Sequence, residues 1–69
     1  MNFFKYGGIR FFYNQIYRLS NHLDDKAIAG RRVWVKELIS QFGCDYIKVW
    51  LVDNNEEYYV KPRYVVPEK

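Results

Sequence analysis

Turn-forming residues recur along this chain at short, nearly even intervals: at Gly7-Gly8, from Ser20 to Asp25 with Gly30 beyond, from Gly43 to Asp45, and at Asp53-Asn54-Asn55. The short runs between them have the spacing of a small β-barrel or sandwich. Their content points the same way. Val, Ile, Phe, Tyr and Trp occur 7, 5, 5, 7 and 2 times, against two Ala and four Leu, and these β-branched and aromatic residues suit a pleated, half-buried surface.

Three segments alternate with the period of a strand. Ile9, Phe11, Tyr13, Gln15, Tyr17 and Leu19 fall on one face, with Arg10, Phe12, Asn14, Ile16 and Arg18 on the other. From Arg31 to Ile39, Val33, Val35 and Ile39 share a face opposite Arg32, Trp34, Lys36 and Leu38, and Glu37 is the odd member on the apolar side. From Tyr46 to Val52, Ile47, Val49 and Leu51 oppose Tyr46, Lys48, Trp50 and Val52. This last strand runs through Asp53-Asn54-Asn55-Glu56 into Tyr58-Tyr59-Val60-Lys61. Asn tolerates the positive φ of tight hairpin turns, so a hairpin is expected here. Pro62 has no N–H to donate and should break that strand before a short final piece at Tyr64-Val65-Val66.

The expected fold is therefore all-β, or β-rich α+β: a small antiparallel barrel spanning residues 1–69 as one domain, with residues 1–8 as an N-terminal extension. The alternative is a helix, helix, β-hairpin order. Asp24 or Asp25 would then cap a helix whose stripe is Ile28, Val35, Leu38, Ile39 and Phe42, with Gly43 as its left-handed stop, and Phe12, Ile16, Leu19 and Leu23 would line another. Gly30 and the β-branched Val33 and Val35 inside that helix favour strands. Within the extension, Phe3, Phe4 and Tyr6 either complete the core or form a handle for a partner.

A chain of 69 residues buries only about 60% of the surface it exposes when unfolded, too little for a large active-site scaffold. An aromatic content of 20% compensates, because these side chains bury the most area each. The net charge of +3 is mild for a nucleic-acid protein, which usually shows a denser basic stripe. With Cys44 as the only cysteine no internal disulfide can form, which suits a reducing compartment and makes the cytoplasm the expected location. Lys5 and Arg10 interrupt any signal-peptide core, and no apolar run approaches a membrane span, so neither export by that route nor a membrane partner is expected. The chain reads as a complete short gene product.

Residues 31 to 66 resemble the small SH3-like barrels of the Tudor and KOW kind. The similarity lies in Lys48-Val49-Trp50-Leu51-Val52-Asp53-Asn54-Asn55-Glu56-Glu57 followed by Tyr59-Val60-Lys61-Pro62-Arg63-Tyr64-Val65-Val66-Pro67. Tudor domains usually carry an aromatic residue and a glycine after the aspartate that matches Asp53, where this chain has Asn54 and Asn55. The resemblance implies a non-catalytic module that recognises a protein segment or a nucleic acid.

Motifs for catalysis are sparse. His22 is the only imidazole and Cys44 the only thiol, so a Cys/His pair would need those two to meet. Cys44 beside Asp45 lacks a cationic neighbourhood and reads as structural, and His22-Leu23-Asp24-Asp25 reads as a solvated loop. Gly7-Gly8 has no phosphate-cradling frame around it. The informative constellation is aromatic and basic. Arg32, Trp34 and Lys36 share a strand face, as do Tyr46, Lys48 and Trp50. A two-residue turn at Asn54-Asn55 would set Tyr59 opposite Trp50 and Lys61 opposite Lys48. Opposed lysines are unfavourable, which argues either for another register or for an anionic partner. Otherwise Trp34 and Trp50 fill a minor second core, with lysine stems across them.

These eight residues form the expected partner-binding surface of a non-enzymatic module without cofactors, one that regulates or inhibits a larger protein by occupying its surface. Trp, Tyr and Arg are enriched at protein hot spots. A phage or mobile element is a fitting source for so short a regulator. The alternative is a small basic domain that holds single-stranded or backbone-phosphate nucleic acid by stacking between cations. Elemental analysis of the purified protein should find no stoichiometric zinc, because a closed zinc site needs four ligands and only His22 and Cys44 offer nitrogen or sulfur. Retained metal would point to a site shared between chains.

Overall fold

A computed structural model describes residues 2–68. The chain is all-β, with strands β1 (Phe3–Tyr6), β2 (Ile9–Phe12), β3 (Ile16–Leu19), β4 (Arg32–Gln41), β5 (Cys44–Leu51), β6 (Glu57–Val60) and β7 (Val65–Pro67). A single 3-10 turn at Pro62–Tyr64 separates β6 from β7. All pairings are antiparallel: β1 pairs with β2, and the other five strands form one sheet in the order β6-β5-β4-β3-β7. Consecutive strands meander from β3 to β6, and β7 returns to pair with β3. Among the described residues, no helix is long and apolar enough to cross a membrane.

The helix, helix, hairpin order is thus not adopted. The residues of its second stripe lie largely in the ten-residue β4, and Gly43, with φ 76°, serves a hairpin turn instead of a helix stop. The alternation from Ile9 to Leu19 is real but divided, since Tyr13–Gln15 make a bend between β2 and β3. Phe11, Tyr17 and Leu19 still keep their common face and are all buried.

The core lies on the inner face of the five-stranded sheet. Val33 and Val35 of β4 meet Leu51 and Val49 of β5, and Ile47, Val60 and Val65 extend the cluster. Leu23 and Ile28, from the loop between β3 and β4, close one side. That loop is shaped locally: Asp25 accepts the Ala27 N–H through its side chain and the Ile28 N–H through its carbonyl. Gly30 takes φ +78° with its α-carbon so near Asn21 that a β-carbon would sit 2.6 Å from Oδ1. The β1–β2 hairpin turns at Gly7-Gly8, both at positive φ. Phe4 and Tyr6 pack against the core, and Phe4 stacks on Phe11 with ring centroids 5.3 Å apart. Core completion is therefore the structural role of Phe4 and Tyr6, while Phe3 lies against Phe12.

Two local features change the face each side chain presents. First, β4 carries a bulge. Val35 pairs with Val49 but Glu37 pairs with the adjacent Lys48, leaving Lys36 as the extra residue. Glu37 is thereby turned outward, Leu38 comes onto the core side opposite Ile47, and Ile39 goes to the outer face opposite Tyr46. The phases expected for Leu38 and Ile39 from unbroken alternation are reversed by that one residue. Second, the β5–β6 connection is longer than two residues. Leu51 donates its N–H to the Glu56 carbonyl at 2.9 Å and accepts from the Asn55 N–H at 2.9 Å, and Asn54 Oδ1 takes the Glu56 N–H at 3.0 Å. Asn55 adopts φ 60°.

The β4–β5 hairpin turns through Phe42 (φ 52°) and Gly43 (φ 76°), the two-residue form in which both central residues have positive φ. Glycine adopts this conformation freely, but for a bulky residue it costs about 1–2 kcal/mol. Phe42 is 98% exposed, so no contact within the chain offsets that cost.

Replacing Asn55 by Val should lower stability by about 1 kcal/mol, because a β-branched side chain resists the left-handed region. Asn55→Gly should be nearly neutral. Denaturant titration of both variants checks this, and equal stabilities would show that Asn55 does not hold that conformation.

Candidate functional site

The outer face of β4 and β5 gathers most of the aromatic and basic residues expected to act together. Trp34 and Trp50 are directly paired across the two strands, flanked by Ile16 on β3 and Glu57 on β6. Both indoles are half-buried. The Trp50 Nε1–H donates to Glu57 Oε1 at 3.0 Å, and Lys36 Nζ lies 4.3 Å from the centre of the Trp50 ring. The bulge is what brings Lys36 there, since the extra residue leaves the ladder and its ammonium can fold back over the ring. This exposed cation–π contact is attractive by about 0.5–1 kcal/mol.

The next row along the sheet is Glu37, Lys48 and Tyr59. Lys48 Nζ is 3.0 Å from Glu37 Oε1, and this hydrogen bond raises the lysine pKa above its ordinary value. The register expected across β5 and β6 is corrected here by two residues: Lys48 faces Tyr59 and Trp50 faces Glu57. The longer loop at residues 52–55 shifts the pairing, which removes the lysine–lysine opposition and gives Trp50 an acceptor. Lys61 lies just beyond β6, at the start of the 3-10 turn and away from Lys48. Arg32 stands at one end of the face, opposite Arg18. Tyr46 lies toward the far end of the hairpin, opposite Ile39.

Tyr46, Tyr59 and Lys61 also border a groove of about 280 Å³ that sequence reasoning missed. Its other walls come from Asp24 and Asp25 of the β3–β4 loop, from Tyr58, and from Arg63 and Tyr64 of the 3-10 turn. Arg63 lies over the Tyr64 ring at 5.1 Å. Tyr58 donates to Glu56 Oε1 at 3.0 Å, and that bond, followed by desolvation, raises its phenol pKa. The clue in the sequence was the density of tyrosines between residues 58 and 64, but nothing local placed the loop at 24–25 against them.

Several cations are already neutralised. Besides Lys48 with Glu37, Arg31 pairs with Asp53 at 2.8 Å and Arg18 with Glu68 at 3.2 Å. Cys44, expected to be structural, is exposed at the start of β5, because the turn at Phe42-Gly43 places it at the hairpin tip and away from the core. His22 is exposed on the β3–β4 loop. The side chains gathered on this face make a cation–π contact, an indole hydrogen bond and an ion pair. No known protein family, characterised protein or solved structure matches the chain.

Asp45 accepts a hydrogen bond from Ser40, and this bond, followed by the influence of the Tyr6 phenol, holds its carboxyl below the ordinary aspartate value. A depressed carboxylate contributes stability above the unfolded-state pKa and loses it as pH falls through the folded-state value. Unfolding midpoints measured from pH 6 down to about pH 2 should therefore fall less steeply for Asp45→Asn than for the parent protein, over the window at and below the unfolded aspartate pKa of about 3.9. Identical slopes would show that the Ser40 and Tyr6 contacts do not favour the ionised form.

Proposed function

We propose that this chain is a small SH3-like, non-enzymatic protein-binding module that regulates or inhibits a larger cytoplasmic protein by occupying its surface. The observation that carries this reading is the paired Trp34 and Trp50 on the outer face of the sheet, outside the core, with Lys36 folded over Trp50 and Glu57 holding its N–H. A rigid aromatic surface offers a large contact area at little entropic cost, and such anchors dominate binding energy at protein interfaces. The strand order, in which β7 returns beside β3 after a 3-10 turn, supports the barrel resemblance.

Tyr59 belongs both to the outer face and to the groove, so the two form one continuous surface. A partner draped over the tryptophans would run on into the tyrosine-lined groove. Charge favours a protein over a nucleic acid. Lys48 is paired with Glu37, while Glu57 beside Trp50 and Asp24 and Asp25 on the groove rim would repel phosphates.

Pull-down from cell lysate with and without nuclease should retain the partner in both cases. With that partner, Trp50→Ala should weaken binding by upward of about 2 kcal/mol, whereas Lys48→Ala should cost less and act mainly on the association rate. Thermal melts of the same variants keep a folding defect distinct from a binding defect. A folded Trp50→Ala protein with unchanged affinity would sink the proposal. A nucleic-acid ligand would instead show its signature in salt: removing one phosphate-bound cation should flatten the dependence of log affinity on log salt by about 0.7–0.9.

A further inference from the structure

The chain's net charge is not spread evenly along it. Residues 1–23 contain Lys5, Arg10 and Arg18 and no Asp or Glu, whereas residues 24–69 contain eight Lys or Arg and eight Asp or Glu. The whole excess of +3 therefore lies in the first third of the sequence. Of these three cations, Arg18 is paired with Glu68 at 3.2 Å. Lys5 and Arg10 have no ion-pair partner among the described residues.

The β1–β2 hairpin sets those two cations side by side. Phe4, Tyr6 and Phe11 pack with the core, while Phe3, Lys5, Arg10 and Phe12 belong to the opposite face of the two strands. Lys5 is the direct cross-strand partner of Arg10, as Phe3 is of Phe12, and both cations are exposed. Arg10 Cζ lies 5.4 Å from the centre of the Phe3 ring, and the Phe3 and Phe12 ring centres are 5.3 Å apart. The aromatic pair thus gives the guanidinium a platform. Like charges directly opposed weaken a strand pair, and a two-stranded hairpin has little stability of its own to lose. An anion shared by the two cations would turn that repulsion into attraction.

We infer that this face of the hairpin docks an acidic segment of the protein partner, with Lys5 and Arg10 taking its carboxylates. The inference rests on the protein-binding reading for the class of partner, whereas the sign of the partner's charge follows from the hairpin itself. Arginine's planar fork matches a carboxylate with two parallel hydrogen bonds, and the neighbouring ammonium adds a point charge. A single-stranded nucleic acid fits less well. It calls for a cationic track several nucleotides long and open rings for its bases, but two cations stand here and Arg10 already lies over the Phe3 ring. An anionic membrane is held by clusters of about four to eight cations, again more than this face offers.

Titration of oligoglutamate into the isotope-labelled chain at low salt tests it. The peptide should move the amide resonances of Lys5, Arg10 and their neighbours, and added salt should weaken the effect. Lys5→Glu should bind the peptide about tenfold more weakly or worse. The same variant should melt higher than the wild type, because it gives Arg10 an ion-pair partner across the strands, and these opposite signs separate lost docking from lost folding. Lys26→Glu makes the same charge change on the β3–β4 loop and should leave binding unchanged. Oligoglutamate that does not bind, or that shifts resonances elsewhere and spares the hairpin, overturns the inference. So does binding that survives Lys5→Glu, an equal loss with Lys26→Glu, or tighter binding of oligothymidine or of phosphatidylserine vesicles than of oligoglutamate. Trp50→Ala should bind oligoglutamate as the wild type does, so failure at the hairpin is distinguishable from failure of the tryptophan surface.

Discussion

The pairing of β4 with β5 is the constraint on which the remaining structure depends. These are the two longest strands, and each contributes fully buried aliphatic side chains to the inner face: Val33 and Val35 from one, Ile47 and Val49 from the other. Burying such a side chain completely is worth about 1.5–3 kcal/mol, and the four sit in contact at the centre of the sheet. β3 and β6 then add to the outer edges of this pair, and β7 adds to β3. Loss of the β4–β5 register would remove the inner core and the outer aromatic face together, because both are opposite sides of the same two strands.

One extra residue in that pairing decides how the two faces divide. Without the bulge at Lys36, strict alternation would carry Glu37 into the core behind Val33 and Val35. An unpaired carboxylate buried among valines would cost several kcal/mol. The bulge sends Glu37 outward to Lys48, returns Leu38 to the core, and releases Lys36 to cover Trp50. A single backbone irregularity thus solves a burial problem and builds the site. Bulges are frequent beside functional surfaces for this reason: they re-aim side chains that the regular pleat would misplace.

The surface that results has two kinds of apolar feature with different physical character. Trp34 and Trp50 are both half-buried, and Trp50 is held by Glu57 and Lys36, so its conformation is set before any partner arrives. Phe42 is held by nothing but its turn. The first arrangement loses little entropy on binding, and the second holds conformational strain imposed by the Gln41–Cys44 pairing that closes the turn.

What the residues determined by themselves is whatever depends on near neighbours. Alternation marked the strands, the Asn and Gly pairs marked the turns, Pro62 marked the break before β7, and Asn55 was recognisable as a residue suited to positive φ. Even the misfit of Glu37 among the inward positions was legible as an irregularity. Which way it would be resolved was not, because the bulge at Lys36 is set by the pairing with β5. Tertiary structure decided that question. It also decided the two-residue shift that sets Tyr59 against Lys48, and the approach of Asp24 and Asp25 to the tyrosines between residues 58 and 64. The groove depends on burial between segments far apart in the chain, and the shift on the hydrogen bonds that close the loop at residues 52–55 once the strands have paired. Period and turn chemistry act over a few residues, whereas register and groove are chosen only when distant strands compete to bury the same core.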